Sequence, residues 1–240
     1  LAGLSHMFLN YKKGKSSWDN TLDVGYGVVK QDELEMRKSD DKVDLLSKFG
    51  YNAKNSWFYS GMLNIKTQMT AGYKYEKDTA MKTRISGGFS PAYLIASIGM
   101  EYKSPKDNFY LLLSPVTGKT TIVADDSLSD AGAFGVDPGK NVRLEIGGLM
   151  KISYRKEIMK NVTLAAKCDL FSNYKDNPQN IDINIESTIT MKVNKFLAAS
   201  IMAQLIYDDD IDIADENGHL APRTQFKEVL AIGLSFKFGE

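Results

Sequence analysis

Ile181-Asp182-Ile183-Asn184-Ile185-Glu186-Ser187-Thr188-Ile189-Thr190-Met191-Lys192-Val193 decides the fold. Apart from Ser187 its odd positions are apolar, and its even positions are all polar. A strand turns successive side chains to opposite faces, so this segment has one greasy and one wet face. Asn194-Lys195 is a tight-turn signal. Leu197, Ala199, Ile201, Ala203, Leu205 and Tyr207 then repeat the period on the way back. A half-buried strand in a soluble sandwich usually runs about 5–6 residues. This one is longer, and it suits the roughly 9–11 tilted residues with which a β-strand crosses a bilayer. In that setting the apolar face meets lipid and the polar face lines a lumen.

The same alternation extends along the chain. In 18–30, Leu22, Val24, Tyr26 and Val28 oppose Thr21, Asp23, Gly25 and Gly27. Further alternating stretches lie at 57–68, 92–102, 142–154, 162–173 and 225–238. Residues 1–11 and 43–51 carry the pattern less sharply, and 109–114 is apolar on both faces, so its register is undecided. Connections alternate short and long along almost the whole chain. Residues 12–15, 52–56, 103–108 and 156–161 are short; 31–42, 69–90, 116–141 and 208–223 are long. Outer-membrane barrels have short turns on one side of the membrane and longer loops on the other. The expected fold is all-β: a closed, antiparallel, up-and-down transmembrane β-barrel forming a single domain over residues 1–240. About 11 strands are readable, and the even-number preference of bacterial barrels raises the expectation to about 12. The pattern already runs at Leu1, so a leader and a further strand are expected before it.

Composition sets the outer limits. Thirty Lys and Arg balance thirty Asp and Glu, which gives no electrostatic support for a nucleic-acid partner. One cysteine, Cys168, excludes an internal disulfide and a Cys cluster for metal. It falls in the apolar phase of its strand, where a small lipid-facing or buried side chain is expected rather than a reactive thiol. No run approaches the roughly 20 apolar residues of a membrane helix, but alternating strands escape window averages. Trp18, Tyr26, Trp57, Tyr59, Tyr102, Tyr154, Tyr174 and Tyr207 lie near expected strand ends, where amphipathic rings favour the membrane–water interface.

At the carboxyl end, Leu230, Ile232, Leu234, Phe236 and Phe238 share one face. Such a strand closing on Phe resembles the signal read by the barrel-assembly machinery, carried here by Leu234, Phe236 and Phe238; Gly239-Glu240 departs from that pattern. Three further stretches carry a family resemblance. One is Leu113-Ser114-Pro115-Val116-Thr117-Gly118-Lys119 with Leu128-Ser129-Asp130-Ala131-Gly132-Ala133-Phe134-Gly135-Val136. The second runs from Leu170-Phe171-Ser172-Asn173-Tyr174 to Tyr207-Asp208-Asp209-Asp210; the third is Pro222-Arg223-Thr224-Gln225-Phe226-Lys227-Glu228. Together they resemble a Bacteroidota family of outer-membrane β-barrels known only as a domain of unknown function. The resemblance implies the fold and the outer membrane of a Gram-negative bacterium. It brings no activity, ligand or catalytic residue.

The expected inward face is charged, with Asp23, Lys66, Glu101, Arg143, Glu145, Lys151, Arg155, Lys167, Asp169, Asp182, Glu186, Lys192 and Lys237. Mixed signs fit either a wet pore or a closed lumen cross-braced by ion pairs. The 116–141 stretch is too long for a simple connector. With Ser127, Asp130, Phe134 and Asp137 it is expected either to fold inward as a constriction or to stay outside as a binding loop. Asp208, Asp210 and Asp212 are a weak calcium candidate, since their spacing does not match an EF-hand and a solvated acidic loop explains them better. No Gly-x-Ser-x-Gly or paired-His spacing appears, so no enzyme and no cofactor are expected. The functional expectation is a passive channel or transporter for small hydrophilic solutes. The alternative is a non-conducting structural or interaction barrel, a subunit of a larger envelope complex. Expected partners are outer-membrane lipid and lipopolysaccharide, the assembly machinery during biogenesis, and another envelope protein.

Overall fold

The computed structural model describes residues 2–30, 36–75, 82–106, 108–194, 196–215 and 218–234. Eleven long strands form one antiparallel sheet. Its first half is built from β1 (Ala2–Lys13), β2 (Ser16–Val29), β3 (Arg37–Lys54) and β4 (Trp57–Thr67). A two-stranded excursion, β5 (Gly72–Tyr75) and β6 (Lys82–Ser86), precedes β7 (Ala92–Lys103) and β8 (Phe109–Ile122). A short helix α1 (Asp126–Asp130) and a 3-10 turn (Ala133–Gly135) lead to β9 (Val142–Met159), β10 (Val162–Asn173), β11 (Ile181–Lys192) and β12 (Leu197–Tyr207). A second excursion, β13 (Asp212–Ala214) and β14 (Leu220–Pro222), precedes β15 (Gln225–Leu234). The order in the large sheet is β1-β2-β3-β4-β7-β8-β9-β10-β11-β12-β15, so each long strand lies beside the next one in sequence.

The connections follow the expected rhythm. Residues 14–15, 55–56, 104–108, 160–161 and 193–196 are short; 30–36, 68–91, 123–141, 174–180 and 208–224 are long. In the β11 stretch Ile185 sits opposite Cys168 on one side and Leu205 on the other, while Glu186 sits opposite Lys167 and Gln204.

Several elements differ from the sequence reading. The stretch 116–141 is not all loop, because β8 continues to Ile122. Its buried positions are Leu112 and Ser114, then Thr117 and Thr121, so the alternation slips at Pro115-Val116. Proline cannot donate to the ladder, and an irregularity there hides the strand from a strict two-residue period. The long connections 69–90 and 208–223 each contain a small hairpin, β5–β6 and β13–β14, too short to show a period. β3 starts at Arg37 and β9 ends at Met159, both beyond their apolar stretches. Phe236, Lys237 and Phe238 lie outside the described residues, so of the assembly signal only Leu234 is placed, exposed at the end of β15.

Contacts group the chain into two compact units. The first comprises the described residues of Leu1–Asn52, Tyr59–Ile98 and Val116–Ile146. In it Met62 is buried, as are Ser60, Asn64, Ser97, Thr117, Thr121 and Glu145, while Tyr59, Leu63, Ile98, Val116 and Leu144 are exposed. The second comprises the described residues of Ala53–Phe58, Gly99–Pro115 and Gly147–Glu240. Here Leu112, Leu149 and Phe171 are buried with Glu101 and Ser114, while Met100, Leu113, Ile185 and Ile201 are exposed. Two glycines set how tightly neighbouring strands approach in this unit. A Cβ on Gly147 would lie 1.9 Å from the Ser172 carbonyl oxygen, and one on Gly99 would lie 2.1 Å from that of Leu113. Any side chain at either position collides with backbone, so only glycine permits that spacing.

Candidate functional site

The buried face of the central strands is where charge collects. In the first unit Glu145 on β9 is 2% exposed and meets two cations, Lys119 Nζ at 3.4 Å and Arg143 Nη2 at 3.1 Å. On β3 Asp44 accepts a hydrogen bond from Asn64 Nδ2 at 2.7 Å and lies 3.5 Å from Lys42 Nζ and 3.8 Å from Lys66 Nζ. In the middle of β2, Asp23 bonds to His6 of β1. In the second unit Glu101, with no exposed surface, meets Lys103 Nζ at 3.0 Å. Lys151 bonds to Asp169 across β9 and β10, and Lys167 reaches Glu186 at 4.0 Å across β10 and β11. Asn184 accepts from Gln204 at 3.0 Å further along the same face.

Of the residues expected to line a lumen, Asp23, Lys66, Glu101, Arg143, Glu145, Lys151, Lys167, Asp169 and Glu186 join these pairs. Asp182 is half-buried, opposite Phe171. Arg155 and Lys192 are instead exposed, at the strand ends beside short connections. His6, Asp44, Lys103 and Lys119 were missed as members of the ladder. Asp44 stands in the polar phase of its strand and was legible; Lys119 was hidden by the slip at Pro115.

The constriction residues fall in a connection with its own small core. Val123, Leu128 and Val136 are buried together, and Ala133 and Phe134 pack on them. Of Ala131, Ala133, Phe134 and Val136, the apolar side chains that point to inward folding, the loop uses the last three itself. Ser127, Asp130 and Asp137 are exposed; Asp137 pairs with Lys140 at 3.4 Å. Asp125 caps α1 by accepting from the Leu128 amide at 3.1 Å and binds Arg84 of β6 at 2.7 Å. The Ser127 hydroxyl and the Leu128 amide hold the Asp125 carboxyl below its usual value, and Arg84 adds to that. The loop is thereby tied to the 68–91 connection, where Ala124 donates to the Phe89 carbonyl at 3.2 Å.

That connection is itself anchored to β3. Asp41 accepts from the amides of Met69 and Thr70, each at 2.8 Å, and from Lys38 Nζ at 2.9 Å. Burial pushes the Asp41 carboxyl upward, but these hydrogen bonds, the Met69 amide first, outweigh it and leave the value below the usual 3.8. The folded value is therefore below the unfolded one. Its stabilisation is fully present above the unfolded value and is lost as pH falls through the folded value. Asp41→Ala leaves the Met69 and Thr70 amides without their acceptor. The expected result is faster amide exchange at both and protease cleavage within 68–91, with the strands unaffected; the wild type should show the same loosening in acid, below about pH 4.

Asp208, Asp210 and Asp212 do not converge on a cation site. Among the described residues no three His, Cys, Asp or Glu side chains come together in that way. Asp208 instead accepts from the Asp210 amide at 3.0 Å, and Asp215 pairs with Arg223 at 3.0 Å. On the exposed face of the first unit a shallow groove of about 440 Å³ lies over Gly61 and Ala96, walled by Trp18, Phe49, Leu63, Ile98 and Val116. No charged side chain is among the described residues that line it.

Residues 1–73 match a family described as protein of unknown function (DUF3078). The match spans β1 to β4 and the start of β5, and it does not include the three later stretches that carried the sequence resemblance. No curated protein matches the chain. No solved structure matches it either.

Proposed function

We propose that the chain is an integral β-barrel of a Gram-negative outer membrane, of about 12 strands, with its sheet closed and its polar face inward. The observation that supports this most is the inverted burial of the strands. Glu101 and Glu145 are 0% and 2% exposed, whereas Ile98 and Leu144 are 69% and 64% exposed. In water that arrangement turns apolar surface to solvent and charge to the interior; in a bilayer the apolar face meets lipid, and the buried carboxylates are offset by their paired cations. Fractionation of the native cell envelope tests it. The protein should resist alkaline extraction, stay with the outer membrane, and run faster on an unheated gel than after boiling. Recovery in the soluble fraction would end this reading.

Within that frame the geometry favours a braced, non-conducting barrel that acts as a structural or interaction subunit. Glu145 is shut away from solvent with Lys119 and Arg143, and the fully buried Glu101 pairs with the partly exposed Lys103, as in a filled interior. The second reading is a narrow channel for small hydrophilic solutes. It is favoured by β10–β12, where Lys167, at 58% side-chain exposure, and its neighbours on the polar face are in reach of water. Planar-bilayer recording separates the two. A folded but silent protein supports the braced barrel; discrete, ion-selective steps support the channel.

A further inference from the structure

The short-connection end of the second unit has a charge of its own. Lys54, Lys106, Arg155, Lys156, Lys160 and Lys192 are exposed there, and Glu157 is the one exposed acid among the described residues of the same turns. Asp107 and Lys195, outside the described residues, offset each other in charge. The turns form a continuous row. Lys103 donates its amide to the Ser56 carbonyl at 2.9 Å, Arg155 to that of Asn108 at 3.3 Å, and Lys192 to that of Asn161 at 2.9 Å. The opposite end of this unit carries the reverse sign, with Asp208, Asp209, Asp210, Asp212 and Asp215 against Arg223. This unit thus separates its charges along the strand direction, within a chain of zero net charge.

Two neighbouring features say what the cations face. Exposed apolar side chains are mixed among them: Ile158 at 47%, Met159 at 68%, Val193 at 63% and Phe196 at 56%. Immediately inside the turns, Trp57, Tyr102 and Phe109 form a row with ring centroids 5.3 and 6.3 Å apart. An acidic protein surface would match the lysines but leave the apolar residues wet. A lipid headgroup layer matches both, because aromatic rings sit at the headgroup level and lysine stems lie over acyl chains while the ammonium reaches phosphate. The cations are spread along a rim rather than gathered in a pocket, which suits many mobile phosphates and not one small anion.

We propose that this rim binds anionic phospholipid headgroups of the leaflet on the short-connection side. The proposal rests on the membrane reading above. The sign asymmetry would then fix which end of the protein meets the anionic leaflet.

The test uses the full chain with Trp18→Phe, which leaves Trp57 as the single tryptophan, folded into phosphatidylcholine vesicles. A minor share of the lipid is brominated phosphatidylglycerol or, in parallel, brominated phosphatidylcholine. Trp57 should be quenched several-fold more effectively by the anionic lipid. The preference should fall toward parity as salt is raised, and in a variant with the six cations changed to Gln. Equal quenching by the two lipids overturns the proposal and leaves the lysines to an acidic protein partner. A preference that salt does not weaken overturns it too, without need of the variant. Quenching by neither lipid overturns the membrane reading itself and this inference with it.

Discussion

Glu145→Ala lowers the unfolding free energy by about 3–5 kcal/mol, the cost of leaving buried charge without its partner. Glu145 is 2% exposed, and its two cations, Lys119 and Arg143, are 12% and 17% exposed. Removing the carboxylate does more than delete two contacts. It leaves two positive groups facing each other in a site with little water to screen them. Lys119→Met with Glu145→Leu removes one charge of each sign and fills the space, so it should cost less than the sum of the single changes. Equilibrium unfolding in guanidinium of the folded, detergent- or vesicle-bound protein measures Glu145→Ala and, separately, Lys119→Met, Glu145→Leu and their double variant, whose cycle gives the coupling directly. Additive effects would show that the pair is wet, and would favour an open pore along β8 and β9.

Ile98→Arg is the second large effect, and it separates environments more than contacts. Ile98 is 69% exposed in the middle of β7. On a water-exposed surface such a change typically falls within about 0.5 kcal/mol of neutral. At the midplane of a membrane barrel the same arginine costs about 2–4 kcal/mol, because the guanidinium must enter hydrocarbon or drag water in. Refolding into vesicles of the wild type and the variant, compared at matched urea, reads the difference. A neutral substitution would rule out lipid contact for the exposed face of β7.

Much of the sheet could be read from residue types because its faces differ so strongly. Ile181, Ile183 and Ile185 against Asp182, Asn184 and Glu186 leave one register for β11, since a slip by one residue would exchange the faces. The reading failed where that contrast fades. Pro115 and Val116 interrupt the alternation of β8, so Lys119 was assigned to a loop and its partnership with Glu145 was lost. β13 and β14, at three residues each, are too short for any period to register. The candidate site was legible as a set of polar-phase charges and illegible as pairs. Pairing depends on register between strands, which one strand's alternation does not carry. The charge separation at the strand ends was available in the sequence, but it has meaning only once the topology brings the short connections to one end.

The neighbour-to-neighbour strand order has a kinetic consequence. Five of the ten links in the large sheet close over short connections, so each hairpin can form with little loss of chain entropy. Folding can advance by adding one hairpin to the last, with each new strand templated by an edge already in place. Low contact order of this kind favours rapid folding, and in the proposed closed barrel the slow step would be the joining of the outermost strands, whose partners would be far apart in the chain.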